Sequence, residues 1–581
     1  MAKNNHDTIL PPVIPNIEDW PIYRLSEDRQ AFIAEIIACT KAKIEQQPVE
    51  AVRDLISKTI YLERIRIKEE PWKVDPPNEK QFWKRIAKRH ARKGLDRSKE
   101  ETQKSNSDIL QTVIHRYAEE IVGTFRISTF LFARRFLTFF FARLLNAAAL
   151  GTRGLFRGKQ RLIDRLSVEG QIELVRELMK KGTVVVVPTH FSNLDSILIG
   201  YAMDTFMGLP SFSYGAGLNL YNTGYTAYFM NRLGAYRVDR RKKNGIYLET
   251  LKVMSMLSIK RGVNSLFFPG GTRSRSGHLE RKLKLGLLGT TVEAQRRLIQ
   301  EDKDQKVFIV PLVLGYHFVL EAEFLIEEHL RRTGRELYLS AKDDFYSPFR
   351  ILKFLWKIFA QSNKIVLTFG QPMDVLGNPV DAKGASHNQD GRELDIREYF
   401  MDAQGHINED LQREAMYTAQ LGERIVERYH RDNTVLTSHL VAFAAFELIK
   451  HLHPKLDIYG ILRLPAEDYV FPEAQLADVI SQLRRRLLDM ESEGEIRLSD
   501  EIHESVEFII RHGIEHLGTF HLKNPLYFDR QKRIVSDSFK VLYYYHNRLD
   551  NYHLEKYIDW VAIGQEAELL EVELWNRDTR S

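Results

Sequence analysis

The sequence predicts an α/β fold, a mixed sheet flanked by helices, set between two helical regions. Three observations carry this. From about residue 166, helical stretches alternate with short β-branched or aromatic runs at 183–187, 263–268, 307–314 and 365–369. Such alternation implies strands joined by helices, with some parallel pairing. Before it, from about residue 25 to 163, and after it, from residue 401 on, the apolar pattern is mostly helical. Between the last run and the second helical part, residues 377–400 are polar, contain Gly and Asn, and read as a linker.

The expected division follows. Residues 1–25 carry Pro11, Pro12, Pro15 and Pro21 and read as a flexible arm. Residues 26–165 are a helical, membrane-interfacial region, 166–376 the α/β domain, 377–400 the linker and 401–581 a helical C-terminal domain. Pro311 inside the third run implies an edge strand or an early strand end, because proline cannot donate to a ladder. Asn524-Pro525 is expected to turn a hairpin within 516–529, and no internal repeat is visible.

Composition narrows the function classes. The chain has 581 residues, enough for several domains, with 44% hydrophobic and 28% charged residues. A net charge of +6 is small for this length and gives no argument for nucleic acid, which is not expected as a partner. The one cysteine, Cys39, excludes an internal disulfide framework and a multi-cysteine metal site. No uncharged apolar run reaches the roughly 18 residues of a spanning helix. Residues 121–163 nevertheless hold eight Phe, eight Lys or Arg and no acidic residue. That mixture fits an interfacial helix or hairpin with guanidinium groups at lipid phosphates, or a core helix pair whose arginines reach the surface. Residues 345–359 form a second such candidate, with Arg350, Lys353 and Lys357 on one helical stripe. The basic stretch 84–104 reads as a solvated face or linker.

Four elements can carry chemistry. The first follows the run at 183–187: Pro188-Thr-His190-Phe-Ser-Asn-Leu-Asp195. Pro188 ends the strand, Ser192 and Asn193 can cap the next helix, and His190 lies in the loop between. Asp195 can hold one imidazole nitrogen, leaving the other to take a proton from a hydroxyl. Alone, the pair is more often a surface histidine beside an aspartate that merely caps the helix. The second element is Phe268-Pro-Gly270-Gly271-Thr272-Arg273-Ser274-Arg275-Ser276-Gly277, with Lys282 and Lys284 beyond it. A glycine turn exposes backbone amides, and two arginines with hydroxyl donors can grip a phosphate bidentately. It is not a Walker loop. The third is Gly234-Ala-Tyr-Arg237-Val-Asp239-Arg240-Arg241-Lys242-Lys243, a cation cluster that can join an anion site, touch lipid or be a solvated charge run. The fourth, Val310-Pro311-Leu-Val-Leu-Gly-Tyr316, alone says only core strand.

In order and spacing the four resemble the conserved blocks of the glycerolipid acyltransferase superfamily: His-x4-Asp, a Gly-to-Arg block, Glu-Gly-x-Arg-Ser and a Pro-containing fourth block. Within it the chain looks most like bacterial glycerol-3-phosphate acyltransferases. Residues 270–277 and 312–316 are similar to that family's third and fourth blocks, and 541–548 to a C-terminal stretch. The resemblance implies an acyltransferase-like core that moves a fatty acyl group from acyl-CoA or acyl carrier protein to the sn-1 hydroxyl of glycerol-3-phosphate, giving lysophosphatidic acid. It implies His190 as general base and Asp195 as its orienting partner. Arg240, Gly271, Thr272, Arg273, Ser274, Arg275 and Lys284 bind the phosphate, and Pro311 and Tyr316 shape the pocket. No metal and no cofactor beyond the thioester co-substrate is implied. The location implied is the cytoplasmic face of a bacterial membrane, on an anionic surface. Two departures stand out: the block's Glu falls on Gly270, and Arg237 and Asp239 replace other residue types. Rival readings are a lysophosphatidic acid or dihydroxyacetone phosphate acyltransferase, or a non-catalytic membrane- or nucleic-acid-binding protein. A base that must be neutral makes activity fall on acidification.

Overall fold

The computed structural model describes residues 9–563, except 74, 92–98, 149–165, 222–223, 318, 320, 334–364, 467–468, 519–520 and 522. The segment at 345–359 and the distal part of 121–163 lie outside these residues.

Seven strands build the central sheet: β1 (Leu166–Gly170), β2 (Gly182–Pro188), β3 (Ser213–Gly217), β4 (Ala235–Val238), β5 (Ser265–Leu266), β6 (Lys306–Tyr316) and β7 (Ile365–Phe369). Their order is β1-β7-β6-β2-β5-β3-β4. From β6 to β4 every pairing is parallel, while β7 meets β6 antiparallel and β1 lies parallel to β7. The sheet is therefore mixed, as expected. Helices cover both faces, so Val184, Val185, Val186 and Val187 are fully buried and β2 reads as an unbroken apolar run.

The four predicted runs are strands. The three unpredicted ones lack the signal that finds strands. β3 is Ser-Tyr-Gly-Ala-Gly, with no apolar alternation and two glycines, which weaken a strand interior. Pro311 does not mark an edge. β6 is central and continues to Tyr316. Its antiparallel register shifts between the Ile309–Met373 bridge and the Leu312–Phe369 pair. Pro311 sits in that step and only accepts, from Gly370 N–H at 2.9 Å, so no donor is missed.

Residues 9–27 differ from the expected arm. Leu10 and Val13 donate to Phe206 and Gly208 carbonyls, the helix Pro21–Glu27 follows, and Trp20 and Ile22 are buried. The prolines fix the path rather than loosening it. The stretch 377–400 is likewise packed, by a turn used four times. Asp374, Asp381, Asn388 and Asp402 each accept backbone N–H groups two and four residues on, and each turn reaches a glycine at 377, 384, 391 or 405 with φ between +78° and +88°. These spaced turns are a local repeat that the sequence reading missed. The C-terminal hairpin pairs Tyr527–Phe528 with Ile534–Val535 and turns at 529–533, not at Asn524-Pro525.

No described helix is long and apolar enough to cross a membrane. The helix Ile127–Ala148 leaves Phe132, Phe136 and Phe139 exposed on one face. On the inner side Arg134 chelates Asp204 at 2.6 and 2.8 Å.

Candidate active site

The parallel strands end on one side of the sheet, where loops collect functional groups. A cavity of about 290 Å³ lies there. His190 after β2, Phe268, Thr272, Arg273 and Arg275 after β5, and Arg240 after β4 line it. So do Gly215 and Gly217 of β3 and Phe324, Leu325 and Glu328 of the helix Ala322–Arg332.

Asp195 is the fully buried first residue of the helix Asp195–Thr205. Its Oδ2 accepts from His190 Nδ1 at 2.8 Å, Phe191 N–H at 2.7 Å and Ser192 N–H at 3.0 Å. Its Oδ1 accepts from the Tyr316 hydroxyl at 2.6 Å. The carboxylate thus closes the loop ahead of its helix, which carries no side-chain cap, although Ser192 and Asn193 were expected to supply one. Because a carboxylate can only accept, Nδ1 carries the ring proton and Nε2 keeps a lone pair. The imidazole stacks on Phe268 at 4.0 Å, and 17% of the side chain is exposed. A hydroxyl can therefore reach it from the cavity alone.

The glycine loop fixes the histidine's backbone. Ser274 N–H donates to His190 O at 2.7 Å, and His190 N–H donates to Glu280 Oε1 at 3.2 Å. Burial pushes the Glu280 carboxyl up to about 7. Arg273 meets Glu321 at 3.3 Å, and Glu321 also takes Ser192 Oγ and Asn193 N–H, both at 3.1 Å. Burial raises the Glu321 carboxyl, and Arg273 opposes that shift. Arg275 Nε bonds Glu328 at 3.0 Å.

Not every expected residue faces the cavity. Ser274 Oγ donates to His278 O. Gly271, at φ +78°, turns the loop with the exposed Lys284 side chain packed over it, away from His190. Pro311 lies within the sheet, and Tyr316 touches Asp195 instead of lining the pocket. Of the cation cluster only Arg240 reaches the cavity. Arg241 is tied to Asp75 and Asp239, and the buried Lys242 to Glu120, so these charges clamp the N-terminal helices. The unusual Asp239 is part of that clamp.

The C-terminal region also reaches the site. Buried Arg548 donates to Leu314 O at 2.6 Å and Asn433 Oδ1 at 3.0 Å, and stacks over Phe191 at 4.2 Å. Asn547 donates to Ser276 O at 2.9 Å. At Gly277 a Cβ would lie 2.0 Å from Tyr544 O, so only glycine permits this approach. Sequence reasoning gave Arg548, Glu280 and Glu321 no role, and Asn193 only that of a cap. Only Arg548 had a signal, its place in the 541–548 stretch.

Residues 165–315 match the family model described as Acyltransferase. A curated relative named glycerol-3-phosphate acyltransferase from Ectopseudomonas mendocina is 25% identical over 482 residues, covering 79% of this chain and 52% of the relative. One of the same name from Aeromonas hydrophila is 29% identical over 262 residues, covering 45% and 28%. Over residues 165–315 the chain is similar to the acyltransferase family, and over longer spans it is similar to relatives named glycerol-3-phosphate acyltransferase. It spans about half or less of the length of the curated relatives it matches. His190, Asp195, Arg240, Phe268, Thr272, Arg273, Arg275 and Glu280 fall inside the acyltransferase match.

Proposed function

We propose that the protein transfers a fatty acyl group from acyl-CoA or acyl carrier protein to the sn-1 hydroxyl of glycerol-3-phosphate, forming lysophosphatidic acid. The observation that carries this reading is His190, oriented by buried Asp195, in a cavity facing Arg240, Arg273 and Arg275. The arginines hold the acceptor phosphate and aim its hydroxyl at His190 Nε2. His190 takes the hydroxyl proton while the oxygen attacks the thioester carbonyl. The C–S bond then breaks, and the thiolate leaves with a proton returned from the imidazolium.

An apolar cavity of about 140 Å³ shares Ser196 and Tyr214 with the polar one. Phe130 and Leu137 of the helix Ile127–Ala148 and Met230 line it, which suits the start of an acyl chain. The exposed Phe132, Phe136, Phe139 and Tyr228, beside exposed Arg126 and Arg135, suit an anionic membrane surface on that side. Liposome flotation without detergent tests this: a triple alanine change at the three phenylalanines is expected to release the protein, and undiminished flotation would sink the membrane role.

The reaction is tested with purified protein, palmitoyl-CoA or acyl carrier protein thioester, and labelled glycerol-3-phosphate, with lysophosphatidic acid as an alternative acceptor. Arg273→Ala and Arg275→Ala are each expected to raise the acceptor KM about tenfold or more, because each removes a charge-assisted phosphate contact of roughly 1.5–3 kcal/mol. An unchanged KM in both would refute phosphate binding there. Tyr316→Phe removes one of the Asp195 donors and is expected to lower kcat about tenfold at unchanged acceptor KM.

A further inference from the structure

Gly270 stands where the block that this segment resembles has Glu, and the Glu280 side chain lies in the space beside the glycine. A Cβ at residue 270 would meet Glu280 Oε1 at 3.0 Å and its Cγ at 3.1 Å, so the carboxylate arm lies where a residue-270 side chain would grow. Gly270 does not adopt the left-handed backbone that demands glycine, unlike Gly271 at φ +78°. A side chain at 270 would therefore compete for space with Glu280 rather than strain the backbone. The arm ends on the catalytic loop: Oε1 accepts His190 N–H at 3.2 Å, while Oε2 is buried with no hydrogen-bond partner among the described residues.

Burying a carboxylate is costly, and Glu280 is a partly buried residue whose Oε2 is fully buried. On an ordinary surface turn the head would stay in water. The charged groups around it are Arg548, which favours its anion, and Asp195, which opposes it. The His430 ring bonds the Glu280 backbone. The backbone N–H of Glu280 also steadies the carboxylate, and of its contacts only that with His190 N–H reaches the histidine loop. Asp195 takes the N–H groups of Phe191 and Ser192 and Glu321 takes that of Asn193, while the His190 N–H goes to Glu280. With Ser274 N–H on His190 O, it pins the peptide that carries the imidazole from both ends.

We propose that Glu280 is a positioning residue for His190, supplying from further along the same loop the carboxylate brace that Gly270 lacks, so that positions 270 and 280 form an interchangeable pair. The proposal rests on the reading of His190 as the base, and it adds a residue and a coupling that the reading does not contain.

The test is a reciprocal swap in the full chain. Glu280→Ala is expected to lower kcat about 10- to 100-fold, the scale of a base displaced by a fraction of an ångström to an ångström, with acceptor KM changed less than about threefold. Glu280→Gln, which keeps an acceptor oxygen, is expected to recover at least about tenfold of that loss. Gly270→Glu alone puts two side chains in one space and is expected to be impaired. The double variant Gly270→Glu/Glu280→Ala is expected to exceed both single variants. A Glu280→Ala protein as fast as wild type, a Gln variant no better than Ala, or a double variant no better than its parents would overturn the proposal. If Glu280→Ala does not fold, as read by circular dichroism, Gly270→Glu against the double variant decides. If the wild type transfers no acyl group to any acceptor, the functional reading fails separately. The brace is then read from the His190 imidazole resonances, assigned with His190→Ala. They are expected to shift in Glu280→Ala and return in the double variant, and unmoved resonances would overturn it.

Discussion

Replacing His190 by alanine is expected to lower acyl transfer by about 10²- to 10⁴-fold, the range for losing a positioned general base. The fold should survive the change. The imidazole makes one side-chain hydrogen bond, to Asp195, and one stacking contact, with Phe268. Asp195 keeps Phe191 N–H, Ser192 N–H and Tyr316 O–H without it. Loss of rate with an unchanged thermal midpoint is thus the signature. Asp195→Asn gives the complementary result. The amide can present an N–H to the imidazole and favour the wrong tautomer, while also losing charge-assisted bonds to the loop, so both rate and stability should fall. A His190→Ala protein with wild-type turnover would remove the catalytic reading altogether. Wild-type activity that stays flat on acidification would contradict a base that must be neutral.

Arg548→Ala is expected to cost about 3 kcal/mol of stability and most of the activity, although the residue lies far along the chain from every motif. It leaves the Leu314 carbonyl and the Asn433 side chain without their charged donor, each deficit being of order 1–3 kcal/mol. It also removes the cation resting on Phe191, next to His190 in the loop. Burial already presses the Arg548 guanidinium down to about 10, so its charge is held at a desolvation cost that only these contacts offset. Arg548→Lys should recover little, because an ammonium cannot span the carbonyl, the amide and the ring together. Denaturant unfolding of the three proteins, beside turnover, checks the claim. A midpoint unmoved by Arg548→Ala would show that the C-terminal region is only appended.

The sequence made legible what depends on local pattern. β2, β6 and β7 are short β-branched runs in a two-sided sheet, and such runs announce themselves. The His190–Asp195 spacing was enough to predict their contact, since a helix start five residues on brings the carboxylate back over the loop. Contacts between distant segments were illegible. Nothing in the charges of 237–243 says that Arg241 and Lys242 turn inward while Arg240 does not, because their partners, Asp75 and Glu120, come from the N-terminal helices. β3 was missed for being glycine-rich, yet at Gly217, where a Cβ would meet nothing within 4 Å, the missing side chain leaves room at the cavity. Pro311 was read as an edge because the register step beside it depends on β7, which lies beyond an intervening helix.

The seating of Asn547 and Arg548 against Ser276 and Leu314 sets an order of events during synthesis. When the segment that bears the histidine and the arginines has left the ribosome, the residues that fasten its loops are still untranslated. A nascent chain at that stage holds the reactive groups without the frame that aims them. On the proposed reading, competence is expected to arrive late, once Asn547 and Arg548 are made, and a message cut short before them is expected to yield the cavity-lining groups without the contacts that fasten their loops.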